Sequence, residues 1–103
     1  MTKGKIAAQC CHAALACYKS AQKIAPERLS SWEHKGQAKV ALKCESKQQL
    51  LSLYSKAKEQ GLVTEYIMDA GRTQIEAGSI TVLGIGPGSI ESINKVTGQL
   101  QLL

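Results

Sequence analysis

The sequence predicts one α/β domain over residues 1–103, and three observations carry that expectation. Small and apolar residues recur at helical spacing in long stretches of the first sixty positions. Short runs of alternating or β-branched residues fall between them. Pro26, Gly36 and Gly61 punctuate the pattern where elements should end. No internal repeat, low-complexity tract or linker interrupts it, and 103 residues are too few for two domains.

The first helix is expected from Lys5 to about Lys23, with Ile6, Cys10, Ala13, Ala14, Cys17 and Ala21 recurring on one side. Side chains this small let a helix axis lie close to what it covers, so this face is expected against a sheet. Pro26 suits the first turn of a second, short helix through Leu29 and Trp32, ending by Gly36. Residues Ala38 to Cys44 alternate, with Val40, Leu42 and Cys44 to one side and Lys39, Ala41 and Lys43 to the other, which predicts a half-buried strand.

Ser46 is a candidate N-cap for a helix reaching Gln60, with Leu50, Leu51, Tyr54 and Ala57 as its apolar stripe and Gly61 as its stop. Val63–Met68 reads as a second strand. Strand, helix and strand within about 30 residues favour a right-handed crossover. A polar loop then spans Asp69–Ser79, a third strand Ile80–Ile85, and a last helix Ser89–Lys95, with Gln99–Leu103 as an extended tail.

Composition narrows the class of function. Hydrophobic residues make up 44% and charged ones 20%, ordinary for a globular protein. One Trp, three Tyr and no Phe leave no aromatic platform for stacking bases. No apolar run approaches the roughly 18 residues that suggest a membrane span. The start Met1-Thr2-Lys3-Gly4-Lys5 lacks the pattern of a secretory signal, so the expected compartment is the cytosol. Cys10, Cys11, Cys17 and Cys44 have spacings that suit neither zinc nor a disulfide framework, and are expected to be reduced thiols acting as small hydrophobes. The net charge of +5 is uneven: residues 1–50 carry nine Lys/Arg against three Glu, and residues 51–103 four against five acids. A basic half allows contact with a polyanion without requiring it.

Three groups of residues could carry chemistry. Lys5, Gln9 and His12 stand at i, i+4 and i+7 and should form one polar stripe on the first helix, with Lys3 and Lys5 at its N-terminus, where free N–H groups favour anions. A solvated face with a basic start explains the same spacing. Asp69 follows the second strand and opens Asp69-Ala70-Gly71-Arg72-Thr73-Gln74, where strand-end loops of α/β sheets build sites; a turn satisfied by its own backbone is the alternative. Gly84-Ile85-Gly86-Pro87-Gly88 matches neither standard phosphate-binding glycine pattern and reads as a strand-to-helix turn.

Three segments in order resemble the second type of peptidyl-tRNA hydrolase, found in archaea and eukaryotes: Lys3-Gly4-Lys5-Ile6-Ala7-Ala8-Gln9-Cys10-Cys11-His12-Ala13-Ala14, then Asp69-Ala70-Gly71-Arg72-Thr73-Gln74-Ile75, then Thr81-Val82-Leu83-Gly84-Ile85-Gly86-Pro87-Gly88. The resemblance covers nearly the whole chain, including Trp32-Glu33 and Lys95-Val96-Thr97-Gly98. It implies a small mixed β-sheet of three to four strands, flanked by helices on both faces in three layers. It also implies hydrolysis of the ester between a peptide and the terminal ribose of tRNA, with no metal and no cofactor. The family's catalytic positions fall on Lys5, Asp69, Thr73 and Thr81. Lys3, Gln9, His12 and Arg72 are the expected substrate-binding residues.

The chain departs from the family in two places. Relatives begin with an apolar strand and an Arg/Asp-containing turn before the segment equivalent to Met1–Lys5, and that strand is expected to be missing here. Losing it would strip backbone pairing from its neighbours, which raises a second expectation beside the enzyme: a truncated, non-catalytic homologue that binds tRNA or a protein. The other departure is Cys11, where relatives often carry Ser and a better hydrogen-bond donor. The expected partner is peptidyl-tRNA. A homodimer and a mitochondrial longer form are left open.

Overall fold

The structure, a computed structural model, describes residues 1–68 and 79–103. It contains α1 (Lys3–Ile24), α2 (Pro26–His34), α3 (Lys47–Glu59), β1 (Thr64–Met68), β2 (Ile80–Ile85) and α4 (Ile90–Thr97). The α/β class therefore holds. Local signals set most boundaries. The Thr2 side chain accepts a hydrogen bond from the Lys5 amide at 3.3 Å, which starts α1 one half-turn earlier than expected. The Ser46 and Ser89 hydroxyls cap α3 and α4 through the Gln49 and Ser92 amides. Pro26 opens α2, and Gly61 leaves α3 at φ +70°, a conformation that glycine adopts without cost.

The sheet differs from expectation. Among the described residues it has two strands, β1 and β2, paired antiparallel, and neither a third strand nor a right-handed crossover is formed. Residues 38–44 do alternate, but alternation makes a strand only where a neighbouring strand supplies hydrogen bonds and a face to cover. Here Leu42 makes a single bridge with Leu102, through Lys43 N–H to Gln101 O at 2.8 Å and Leu103 N–H to Ala41 O at 3.1 Å. Val40 is consequently 70% exposed and Cys44 is exposed, where the pattern had placed both inward.

Two apolar clusters meet at the start of β1. Cys17, Ala21, Ala25, Leu29 and Val63 join α1 and α2 to the strand, with Tyr18 and Trp32 against them. Leu53, Ala57, Leu62 and Val96 join α3 and α4, with Leu83, Ile85, Ile93 and Leu100 packed alongside. The consecutive residues Leu62 and Val63 thus serve different clusters, as expected where an extended chain sends successive side chains to opposite sides. Both α1 and α3 contact both strands. On α3 the buried row is Leu50, Leu53 and Ala57; Leu51, assigned to it from the sequence, stays 38% exposed because i+1 turns away from the row.

The approach of α1 to β2 is close. A Cβ added at Gly84 would lie 2.8 Å from Cys17 Sγ, 3.2 Å from the Ala13 carbonyl and 3.3 Å from Ala13 Cβ. The sequence places small residues on both sides of this contact: Ala13, Cys17 and Ala21 are the buried residues of α1. Ala14, expected with them, is exposed. Gly84→Ala should therefore push α1 off the sheet and cost about 1–3 kcal/mol, read as a lower urea midpoint with an unchanged m-value. An unchanged midpoint would mean that the helix yields freely at this point.

Candidate active site

The row that packs α1 on the sheet does not stop at Ala13. Going back along the helix in steps of four it runs Ala21, Cys17, Ala13, Gln9, Lys5, so apolar burial gives way to polar groups toward the helix N-terminus. Gln9 and Lys5 are half-buried, which sets aside the reading of this stripe as a purely solvated face. The Gln9 side-chain amide donates to Thr81 Oγ1 at 3.0 Å, across 72 positions of sequence.

A β-bulge presents Thr81 to the helix. Ile67 pairs with Val82 and Met68 with Ile80, so Thr81 is the extra residue between them. Such a residue leaves the regular alternation of the strand and is re-aimed locally. Its hydroxyl donates to the Ile67 carbonyl at 3.2 Å while accepting from Gln9. Another threonine, this one buried, braces the other end of the hairpin: Thr64, 1% exposed, donates its hydroxyl proton to the Gly84 carbonyl at 2.8 Å. The sequence motif contained Thr81, but nothing in it reveals the bulge. Gly84, which the sequence places both in the expected strand Ile80–Ile85 and at the start of the glycine-rich turn, lies inside β2. A glycine within a strand pattern was the available signal for close backbone approach.

The other expected site residues divide. Lys3 and Lys5 occupy the first turn of α1, which holds no acidic residue, so the positive end of the helix dipole and both ammonium groups act together. Lys3 is exposed. His12 is exposed too, and the three-residue polar stripe is reduced to Lys5 and Gln9, because His12 precedes Ala13 by one position and so turns away from the sheet. Asp69, Arg72 and Thr73 lie outside the described residues; in sequence they occupy the connection from Met68, the last residue of β1, to β2. Gly86, at φ +112°, donates its N–H to the Val63 carbonyl at 2.7 Å and turns the chain from β2 toward α4.

The cysteines are all free, and only Cys17 behaves as the small hydrophobe expected of all four. Cys11 and Cys44 are exposed and Cys10 is half-buried; of the three on α1, Cys17 alone lies on the row that meets the sheet. Among the described residues no three His, Cys, Asp or Glu side chains lie together, and no helix is long and apolar enough to cross a membrane. Burial pushes the Cys17 thiol from its ordinary 9.0 up to about 11, against the opposing pull of a hydrogen bond with the Glu65 backbone and with a small further push from the Glu65 carboxylate. The folded state thus favours the neutral thiol. That stabilisation is complete below pH 9.0 and is lost as pH rises through about 11. Thiol titration of the native protein near pH 8 should modify Cys11 and Cys44 quickly and Cys17 only after unfolding. Equal rates at Cys17 and Cys11 would contradict the packing.

Comparison with known proteins agrees with the motifs. The sequence profile of the family described as Peptidyl-tRNA hydrolase PTH2 matches residues 1–103. The chain is 56% identical over 102 residues to the probable peptidyl-tRNA hydrolase 2 of Schizosaccharomyces pombe, covering 99% of this chain and 50% of that one. Against the mitochondrial peptidyl-tRNA hydrolase 2 of Homo sapiens it is 54% identical over 102 residues, or 99% and 57% of the two chains. Against the peptidyl-tRNA hydrolase of Methanococcus maripaludis strain C6 it is 50% identical over 103 residues, or 100% and 89%. The chain spans about half the length of the fission yeast and human relatives. With a match from its first residue to its last, the chain belongs to the peptidyl-tRNA hydrolase PTH2 family.

Proposed function

We propose that this chain hydrolyses the ester that joins a peptide, or an N-blocked amino acid, to the terminal ribose of tRNA, releasing free tRNA. The observation that carries the reading is the contact between Gln9 and Thr81, which brings the Lys5 helix and the bulged end of β2 together at one place. The names of the relatives, peptidyl-tRNA hydrolases of fission yeast, human and an archaeon, support the same substrate. The net charge of +5, concentrated in the first half, suits a polyanionic partner.

Roles follow from chemistry. Ester hydrolysis needs water to lose a proton as its oxygen attacks the carbonyl carbon, and the carbonyl oxygen then carries negative charge. Asp69 orients the water and takes that proton. Lys5, at the positive end of α1, stabilises the oxyanion or holds a phosphate of the tRNA end. Thr81 and Thr73 position the reactants, and Lys3 and Arg72 contribute charge toward the nucleic acid. His12, exposed, sits where it can meet the tRNA outside the reacting centre.

For the fold we propose a sheet of three to four strands with helices on both faces, in three layers. The contacts of α1 and of α3 with both strands support it. A homodimer is also proposed for test, by sedimentation. Two compartments are proposed, the cytosol and, for a longer form, the mitochondrion that the human relative's name carries. Fractionation decides between them.

The test is hydrolysis of N-acetylaminoacyl-tRNA by the 103-residue chain, with folding checked by circular dichroism. Asp69→Asn should lower kcat/KM by about 10²–10⁴-fold, the range for loss of a general base. Lys5→Ala should lower it by about 10²–10³-fold, the range for one lost oxyanion donor. Turnover unchanged in Lys5→Ala would remove Lys5 from the mechanism. A folded wild-type chain that releases no tRNA would overturn the hydrolase reading.

A further inference from the structure

The outward side of α1 carries a charge pattern that extends well beyond the reacting centre. Across its 22 residues the helix holds Lys3, Lys5, His12, Lys19 and Lys23 and no Asp or Glu. Lys5, His12, Lys19 and Lys23 follow one another at intervals of seven, seven and four positions. At about 100° and 1.5 Å per residue these four fall within about 40° of one another, forming one row roughly 27 Å long. His12, Lys19 and Lys23 are exposed. The one ion pair among the described residues joins Lys95 to Glu91 on α4, so Lys19 and Lys23 have no carboxylate partner there. Such a row works against the helix that carries it. Lys19 and Lys23 are like charges one turn apart, and Lys5 stands at the positive end of the dipole. A bound polyanion would offset both.

We propose that this row is the track along which the tRNA backbone lies. The terminal ribose meets the candidate site at the Lys5 end, and phosphates further along the acceptor arm pass His12 to reach Lys19 and Lys23. The inference deepens the hydrolase reading and takes the identity of the RNA from it. Length selects the kind of partner. Cations spread over roughly 27 Å of helix cannot converge on one free phosphate, and that span is some three times the screening length of about 8 Å at physiological salt. Only an extended polyanion meets the whole row. Position selects RNA over a membrane surface. A helix lying on lipid buries its apolar face there, whereas Ala13, Cys17 and Ala21 of α1 are already covered within the fold. Direction comes from the 3.0 Å contact of Gln9 with Thr81, which ties the Lys5 end of the row to the bulge in β2 and leaves Lys23 at the far end. Ammonium groups on an exposed helix face contact phosphates without reading bases, so the row orients tRNA irrespective of its sequence.

Binding of deacylated tRNA, followed by fluorescence anisotropy over a range of salt concentrations, tests the row apart from catalysis. The double variant Lys19→Gln/Lys23→Gln should bind about tenfold more weakly and lower the slope of log Kd against log salt by about 1.4–1.8, the counterion release of two phosphates. Lys47→Gln/Lys56→Gln removes the same charge from exposed positions of α3 and should change Kd less than about twofold. In hydrolysis of N-acetylaminoacyl-tRNA, the α1 variant should raise KM by about tenfold and leave kcat within about twofold, since neither lysine reaches the ester. Circular dichroism checks that both variants keep their helices. An unchanged salt slope in the α1 variant, or an equal loss in the α3 variant, would overturn the proposal. So would a wild-type chain with no affinity for tRNA. Binding to phosphatidylserine vesicles that the α1 variant loses, with tRNA binding unchanged, would overturn it in favour of a membrane surface. A wild-type chain that binds tRNA through the row yet releases no product removes the hydrolase reading and leaves the row as an RNA track.

Discussion

The close contact of α1 with β2 at Gly84 is the constraint from which the rest of the arrangement follows. Helices pack on sheets at a distance set by the side chains between them, and here those side chains are Ala13, Cys17 and no side chain at all on the strand. Depth at this point fixes the height of the whole helix above the sheet. One turn earlier, the same height puts Gln9 within hydrogen-bond range of Thr81. A longer side chain at Gln9 could not compensate for a lifted helix, because the hydrogen bond weakens steeply with distance and angle. The apolar contact and the polar one are therefore a single geometric fact, expressed at two places along α1.

The two apolar clusters meet that constraint from either side. Val63 and Leu62, neighbours in sequence, belong to the α1–α2 and α3–α4 clusters respectively. The hairpin that carries Thr81 is thereby gripped at its base, while its other end opens toward the connection that holds Asp69 and Thr73 in sequence. A hairpin fixed at its base presents the residues at its other end without burying them.

Helices were the legible part of this sequence. Ser46, Ser89, Pro26 and Gly61 mark ends through local chemistry that needs no knowledge of the fold, and each acts where it was expected. The two strands of the hairpin were legible as well. The segment 38–44 was not, because its alternation describes a strand that requires a partner, and pairing is a property of the whole sheet rather than of seven residues. Of the candidate site, the sequence singles out Lys5, Gln9 and Thr81 as motif residues, but not their relation. Helical spacing grouped His12 with Lys5 and Gln9, and only the packing of Ala13 on Gly84 shows which side of that group meets the sheet. The bulge was invisible, since it is defined by two strands counted against each other.

That bulge places the Gln9–Thr81 contact and the regularity of the hairpin in opposition. Deleting its extra residue would restore an unbroken ladder between β1 and β2, and a plain hairpin of this sequence would gain pairing at the very point where it now loses it. The hydroxyl facing Gln9 would vanish in the same step. A search for greater stability that scored only backbone pairing would thus converge on the deletion, and it would arrive at a sturdier protein with an empty place opposite Gln9. The irregular residue of the hairpin is the one that holds α1 to the end of β2 through Gln9.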